Sequence, residues 1–141
     1  SLGCVVIGTV GSNKKISLAK SYGCDYVINY SKENFAKKVL AITNGIGVSV
    51  VYDGVGKSTF DKSIDCLKIR GMIVSFGNTS GPVDPIIITK SIQPKGLYFT
   101  RPCGNHYTQS RAEHVEAANE VFKILKKKLI SQFLKDTHCL T

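Results

Sequence analysis

The sequence lacks several features that mark common classes of protein. It has no uninterrupted run of about 18 apolar residues, so we expect no membrane-spanning helix, and it has no basic-then-apolar leader, so we expect no signal peptide. Its five cysteines are scattered and show no C-x-x-C spacing, which argues against a disulfide framework and a cysteine-rich zinc site. This usage is typical of a reducing compartment and predicts a cytoplasmic protein without a membrane partner.

Acidic residues are also scarce. The chain has 10 Asp and Glu against 19 Lys and Arg, which gives a formal net charge of +9. Such a surplus suits nucleic acid or another anionic partner. The lysines lie along predicted helices rather than between aromatic residues, so we interpret most of them as solvated, with phosphate binding as one local use. Two alternatives stay open, a non-catalytic basic module that binds nucleic acid and an inactive remnant.

The most informative stretch is a turn that contains no acid. Residues 4–10 are largely apolar, and residues 11–15 then supply a glycine, two polar residues and two lysines. In dinucleotide-binding folds, an Asp or Glu after the second strand accepts from the 2′-OH of NAD, whereas basic residues suit the 2′-phosphate of NADP. In such a fold this turn predicts NADP binding. The alternative is an ordinary strand-to-helix turn with solvated lysines.

Apolar segments alternate with helical patterns along the chain. We predict strands over residues 4–10, 25–30, 48–52, 71–77 and 96–100, the first of them buried on both faces. Strands that alternate with helices predict an α/β fold, here a Rossmann-like doubly wound parallel sheet. We assign residues 1–130 to a partial dinucleotide-binding domain and residues 131–141 to a tail of uncertain structure.

Helix starts are predicted from hydroxyl side chains. Ser12, Ser31 and Ser58 each precede a helical pattern and are predicted to cap it. Ser110 and Glu113 form a capping box before the last helix.

The glycine fingerprint of dinucleotide-binding folds is missing from the sequence. The G-x-G-x-x-G motif belongs about 20 residues before the ribose-reading position, and this sequence starts too late to contain it. We therefore expect an incomplete sheet, without its first strand and its pyrophosphate loop.

Six motifs follow one another in a recognisable order. They are GTVGS (8–12), VINY (27–30), VYDGVG (51–56), SIDCL (63–67), VSFGN (74–78) and LYFTRP (97–102). Together they resemble the quinone oxidoreductases of the medium-chain dehydrogenase/reductase superfamily, the zeta-crystallin-like group. The resemblance implies an NADPH-dependent oxidoreductase without catalytic zinc that reduces quinones or related electrophiles and forms homodimers. It also implies that the catalytic domain is missing from this chain, which we therefore expect to be inactive alone.

The resemblance assigns cofactor-binding roles but no catalytic residue and no metal ligand. It places Lys15 at the 2′-phosphate, with Gly11 and Ser12 in the same turn, and Tyr30 beside the adenosine phosphate. Tyr30 has an alternative interpretation as an aromatic residue on the rim of the core.

At the nicotinamide end the resemblance places Phe76, Gly77 and Asn78 beside the ribose, and Phe99 and Thr100 near the ring. The resemblance also places Gly54 among the cofactor-binding residues, at a position where the family often has serine and its hydroxyl group.

Other polar residues are given structural interpretations. We expect Asp53 to accept from backbone donors at the end of a strand rather than to act as a catalytic acid. His106, His114 and His138 have no ligand spacing and are interpreted as surface residues. Cys66 is interpreted as a core residue.

Overall fold

The computed structural model describes residues 3–126, which form two compact units. The unit Val5–Cys103 contains five strands and four helices, and residues 104–126, with Gly3 and Cys4, belong to the other. The elements in chain order are β1 (Ile7–Val10), α1 (Ile16–Ser21), β2 (Tyr26–Asn29), α2 (Phe35–Ile42), β3 (Val48–Asp53), α3 (Phe60–Asp65), β4 (Leu67–Ser75), α4 (Ile88–Ser91), β5 (Tyr98–Thr100) and α5 (Arg111–Lys126). The predicted boundary between residues 130 and 131 lies outside the described part.

All the described strand pairs are parallel. β1 pairs with β2, with Val10 opposite Asn29, and this pair forms one sheet. A second sheet has the order β3-β4-β5, with Asp53 opposite Ser75. The predicted α/β class with parallel strands is therefore confirmed. In the described residues the strands form these two sheets, and no strand pairing joins β1 to β3.

The first strand is shorter and less buried than its composition predicts. β1 begins at Ile7, and the preceding Val5 and Val6 are 71% and 45% exposed. The expectation of a strand buried on both faces is wrong, because Thr9 is exposed and Ile7 and Gly8 are only partly buried. Val10, at the end of the strand, is buried.

Two apolar clusters hold the larger unit together. In the first, the buried side of α2 packs with Ile28 and Cys66, and partly buried residues of β1 and β3 complete it. In the second, Phe60 and Ile64 of α3 pack on Leu67 and Ile73 of β4. Val48 and Val51 of β3 contact both clusters. Because α2 contacts residues of both sheets, it helps to hold them in one unit.

Three of the predicted helix caps are wrong. α2 begins after Asn34, whose side chain accepts from the Lys37 amide at 3.2 Å, not after Ser31. α3 follows Thr59 rather than Ser58. Ser12 has extended backbone angles and makes no side-chain cap; a short 3₁₀ turn over Asn13–Lys15 precedes α1 instead.

The capping box of α5 is confirmed. The amide of Ser110 donates to the Glu113 carboxylate at 2.7 Å, and the Glu113 amide donates to the Ser110 hydroxyl at 3.2 Å. These bonds stabilise the ionised carboxylate and lower the pKa of Glu113 below its usual value. None of the helices over residues 3–126 is both long and apolar enough to cross a bilayer.

Candidate functional site

The turns that follow β1 and β2 meet because these strands are parallel neighbours. The amide of Tyr30 donates to the Val10 carbonyl at 3.1 Å, and the Ser31 hydroxyl donates to the Gly11 carbonyl at 2.9 Å. A Cβ atom on Gly11 would lie 3.0 Å from the Tyr30 hydroxyl oxygen. The structure therefore brings Gly11 and Tyr30 together, and the missing side chain at Gly11 leaves room for the half-buried tyrosine.

A pair of asparagines also joins these two turns, and the sequence analysis did not find it. The Asn29 side-chain nitrogen donates to the Asn13 side-chain oxygen at 2.6 Å, and Asn29 Oδ1 accepts from the Ser31 amide at 3.0 Å. Asn29 is only 3% exposed. Their separation of 16 residues in the chain gave no local signal for the contact.

Ser12 and Lys15 lie in the same short turn. The Lys15 amide donates to the Ser12 carbonyl at 3.1 Å, and Lys15 is exposed. Residues 11–15 contain no acid, and the only acid in residues 30–34, Glu33, is paired with Lys38 at 2.9 Å. Among the described residues Lys15 has no ion-pair partner, so its ammonium group can meet an anionic ligand.

The turns that follow β3 and β4 form a second group. The Phe76 amide donates to the Asp53 carbonyl at 2.9 Å. A Cβ atom on Gly54 would lie 2.9 Å from the Phe76 ring, and one on Gly77 would overlap the Gly54 carbonyl. Gly54, Phe76 and Gly77 are thus brought together. At Gly77 the facing backbone leaves room only for glycine, whereas a side chain at Gly54 would have to displace the exposed Phe76 ring.

Asp53 holds the first of these turns. Its buried carboxylate accepts from the amides of Val55 and Gly56, at 2.9 and 3.0 Å, and from the hydroxyls of Thr59 and Ser63. The expectation that Asp53 accepts from backbone donors at the end of a strand is confirmed. Its oxygens face these four donors inside the protein, which is the arrangement of a structural carboxylate.

Arg101, which follows β5, ties the second turn in place. Its Nη1 donates to the carbonyl oxygens of Ser75, at 2.8 Å, and Gly77, at 3.3 Å. With the Asn78 amide nitrogen donating to the Gly77 carbonyl, Asn78 Oδ1 accepts from Arg101 Nη2 at 3.3 Å. The family resemblance assigns a role to Asn78 but none to Arg101, although Arg101 lies in the motif LYFTRP (97–102).

The two β5 residues that are predicted to bind the cofactor, Phe99 and Thr100, have different surroundings. Thr100 is opposite Val74 and directly precedes Arg101, so it ends at the same edge of the sheet as Phe76. Phe99 is opposite Ile73, and its ring packs edge-on against Phe60 with 6.1 Å between centroids. Phe99 is still 43% exposed, so packing on α3 covers only part of its ring.

Two open depressions are lined by residues that do not belong to these turns. One, of about 630 Å³, is lined by residues of α5. The other, of about 550 Å³, is lined by residues that include Ile46, Ile69 and Lys95. Neither is lined by a residue predicted to bind a cofactor.

Metal binding finds no support in the described part of the chain. Residues 3–126 contain no cluster of three or more His, Cys, Asp or Glu side chains that could hold an ion. Cys66 is buried, and desolvation, with a smaller contribution from Asp65, raises the pKa of its thiol to about 11. A thiol of that kind stays protonated and is a poor ligand or nucleophile near neutral pH.

Comparison with known proteins identifies relatives with similar sequences. A quinone oxidoreductase of Salmonella typhimurium is 45% identical over 130 residues, which are 92% of this chain and 40% of that protein. A 2-haloacrylate reductase of a Burkholderia species is 44% identical over 126 residues, 89% of this chain and 38% of that protein. The chain therefore spans about two fifths of the length of these relatives. They confirm the predicted resemblance to quinone oxidoreductases.

A solved structure agrees with the fold. The crystal structure of the Escherichia coli quinone oxidoreductase complexed with NADPH matches with a TM-score of 0.89 and 41% identity. The match covers 95% of this chain and 41% of that one. This confirms the Rossmann-like assignment of the parallel strands.

A family model settles the classification. The model described as zinc-binding dehydrogenase matches residues 1–121, although residues 3–126 supply no zinc site. The strand-end turns, the quinone oxidoreductase relatives and this model agree, and the chain belongs to the zinc-binding dehydrogenase family.

Proposed function

We propose that this chain is the NADP(H)-binding part of an oxidoreductase that transfers hydride to a quinone or a related electrophile. The observation that carries the proposal is the first pair of turns, where Lys15 is exposed and unpaired among the described residues and residues 11–15 contain no acid. A 2′-phosphate would find a cation there, whereas a ribose 2′-OH would find no carboxylate acceptor.

At the adenosine end, the proposal assigns the cofactor to the turns after β1 and β2. Lys15 supplies the charge for the 2′-phosphate, and Gly11 and Ser12 belong to the same turn. Tyr30 stands over Gly11, with its hydroxyl next to the glycine backbone. Because the Tyr30 hydroxyl takes the space that a side chain at Gly11 would fill, a ligand at this turn would meet the tyrosine.

At the nicotinamide end, the proposal assigns the cofactor to the turns after β3, β4 and β5. The exposed Phe76 ring and the backbones of Gly54 and Gly77 form one wall, and Asn78 lies beside them. Phe99 and Thr100 complete this assignment from β5. When bound, the nicotinamide supplies the hydride, and these residues hold it in position and keep water from one face.

The relatives support the reaction class. Quinone oxidoreductases and a 2-haloacrylate reductase share more than two fifths of their residues with this chain over the aligned region. Because the chain spans about two fifths of their length, the proposed role of these residues is cofactor binding. We expect that these residues alone do not catalyse the reduction of a quinone by NADPH, and we propose a cytoplasmic location.

We further propose a homodimer through β5. β5 pairs with β4 on one side, and within residues 3–126 its other edge has no strand partner. An open edge can pair with the same edge of a second copy around a two-fold axis. Analytical ultracentrifugation of the parent and of Tyr98→Lys tests this proposal. A dimeric parent and a weaker dimer in Tyr98→Lys would support it, and a monomeric parent would contradict it.

Calorimetric titration of the chain with NADPH and with NADH tests the cofactor assignment. We expect tighter binding of NADPH, and Lys15→Ala should weaken NADPH binding about tenfold or more, because it removes a charged hydrogen bond. Lys14→Ala is the matched control, since Lys14 neighbours Lys15 and is also exposed.

Two outcomes would contradict the proposal. One is equal affinity of the parent for NADPH and NADH. The other is binding of a single-stranded oligonucleotide that weakens steeply with salt and does not change in Lys15→Ala, which would favour the nucleic acid alternative.

A further inference from the structure

The bridge between Asn13 and Asn29 joins the two turns of the adenosine end. We propose that this bridge positions the turn that carries Lys15, and that Asn13 is therefore a positioning residue for recognition of the 2′-phosphate. The inference rests on the proposed function and deepens it, because it names a residue that acts through Lys15.

Asn29 is a fixed anchor. It ends β2 and is 3% exposed, and both ends of its amide are used, one by Asn13 and the other by the Ser31 amide. Its backbone carbonyl accepts from the amides of Lys32 and Glu33, at 3.1 and 3.0 Å. Rotation of this side chain would leave a buried polar group without a partner, so its position is strongly restrained.

Asn13 transmits this restraint to Lys15. The two residues begin and end the same three-residue 3₁₀ turn, and the carbonyl of Asn13 accepts from the Ile16 amide. The Ser31 hydroxyl donates to the Gly11 carbonyl at 2.9 Å, so the turn is tied on both sides of Ser12, to the end of β2 and to the turn that follows it. The backbone of Lys15 thereby lies two residues from Asn13, whose side chain bonds to the buried anchor Asn29.

The bridge between Asn13 and Asn29 should affect binding of the 2′-phosphate more than binding of the rest of the nucleotide. Lys15 is a long, exposed side chain that loses rotamer freedom when it binds. A turn that moves would add to that loss, and the cost would fall on the contact that Lys15 makes. Removal of the bridge should therefore weaken recognition of the 2′-phosphate more than recognition of the rest of the nucleotide.

A double-mutant cycle tests the inference with adenosine fragments of the cofactor. The 141-residue chain and the variants Asn13→Ala, Lys15→Ala and Asn13→Ala/Lys15→Ala are titrated with 2′,5′-ADP and with 5′-AMP. The quantity compared is the ratio of the two dissociation constants, which isolates the 2′-phosphate. Asn119→Ala, an exposed asparagine on α5, is the control.

The expected result has two parts. Asn13→Ala lowers the preference for 2′,5′-ADP by roughly threefold or more and changes the affinity for 5′-AMP little, because coupled residues share their free energy. Lys15→Ala lowers the preference much less in the Asn13→Ala background than in the parent. If Asn13 had only a structural role, Asn13→Ala would weaken the binding of both ligands equally. Lys15→Ala would then lower the preference for 2′,5′-ADP as much in the Asn13→Ala background as in the parent.

The failures are distinguishable. If the parent prefers 2′,5′-ADP and Lys15→Ala removes that preference, but Asn13→Ala leaves it intact, the inference fails and the proposed function stands. If the parent binds both ligands equally, both fail. Asn13 is itself exposed, and a thermal unfolding curve for each variant confirms that the change in preference belongs to a folded chain.

Discussion

Gly77 and Gly54 lie backbone against backbone where β3 and β4 end. A Cβ atom on Gly77 would overlap the Gly54 carbonyl oxygen and lie 2.8 Å from the Gly54 Cα atom. The Thr79 hydroxyl donates to the same carbonyl at 2.9 Å, which fixes its direction. The two turns are therefore in contact at a distance that no side chain on Gly77 permits.

Gly77→Ala should separate these turns. We expect the free energy of unfolding to fall by about 1–3 kcal/mol, because the backbone must shift to admit a methyl group. Urea unfolding measures the change. Gly104→Ala is the control, since a Cβ atom there meets nothing within 4 Å. Equal losses in the two variants would contradict the close packing.

Asp53→Asn tests the carboxylate that holds the turn after β3. Oδ2 accepts from the hydroxyls of Thr59 and Ser63, so an amide nitrogen at that position would face two donors and force both hydroxyls to turn. We expect the free energy of unfolding to fall by about 1–3 kcal/mol.

The control for this change is Asp84→Asn. Asp84 pairs with a cation instead, Lys57 at 2.9 Å, and its side chain is 72% exposed. Exposed pairs contribute about 0–1 kcal/mol, so the control should lose less than Asp53→Asn. A larger loss for Asp84→Asn would show that burial is not what makes Asp53 important.

The strand-end turns could be predicted from the sequence because their signals are local. The apolar run that ends in Gly11 and the run that ends in Gly54 each predict a strand followed by a turn. Because parallel pairing brings consecutive strand ends to one edge, Gly54 and Gly77, which each follow a strand, are expected at the same edge of the sheet.

The cap of α2 and the bridge between Asn13 and Asn29 could not be predicted, because they depend on contacts between residues that are distant in sequence. Ser31 and Asn34 are both competent caps, and only the path of the chain after β2 decides that Asn34 caps α2 while the Ser31 hydroxyl bonds to Gly11. The bridge from Asn13 to Asn29 likewise depends on the register of β1 against β2. Local patterns carry no information on either choice.

Arg101→Met tests the nicotinamide end separately from the adenosine end. Arg101 holds the carbonyl oxygens of Ser75 and Gly77. Its loss should loosen the turn after β4 and weaken NADPH binding by roughly threefold or more, in line with the loss of one or two hydrogen bonds. Binding of 2′,5′-ADP should not change, because that ligand has no nicotinamide.

Arg111→Met is the matched control for this variant, since Arg111 is an exposed arginine at the start of α5. Calorimetry with both ligands gives the comparison. Equal weakening of NADPH and 2′,5′-ADP by Arg101→Met would contradict a local effect on the nicotinamide end.

Cys66 predicts a loss of stability in alkaline solution. Burial raises the pKa of its thiol from the ordinary value of 9.0 to about 11, so the folded chain holds this proton more tightly than the unfolded chain. The stabilising effect is complete below pH 9 and is lost as the pH rises through about 11.

Cys66→Ala removes this titration, while the other ionisable groups remain in both proteins. The difference in free energy of unfolding between the parent and Cys66→Ala, measured in urea, should therefore be constant below pH 9 and should shift against the parent between pH 9 and 11. A difference that stays constant through this range would show that the thiol titrates alike in the folded and unfolded chain, and that its burial does not disfavour the thiolate.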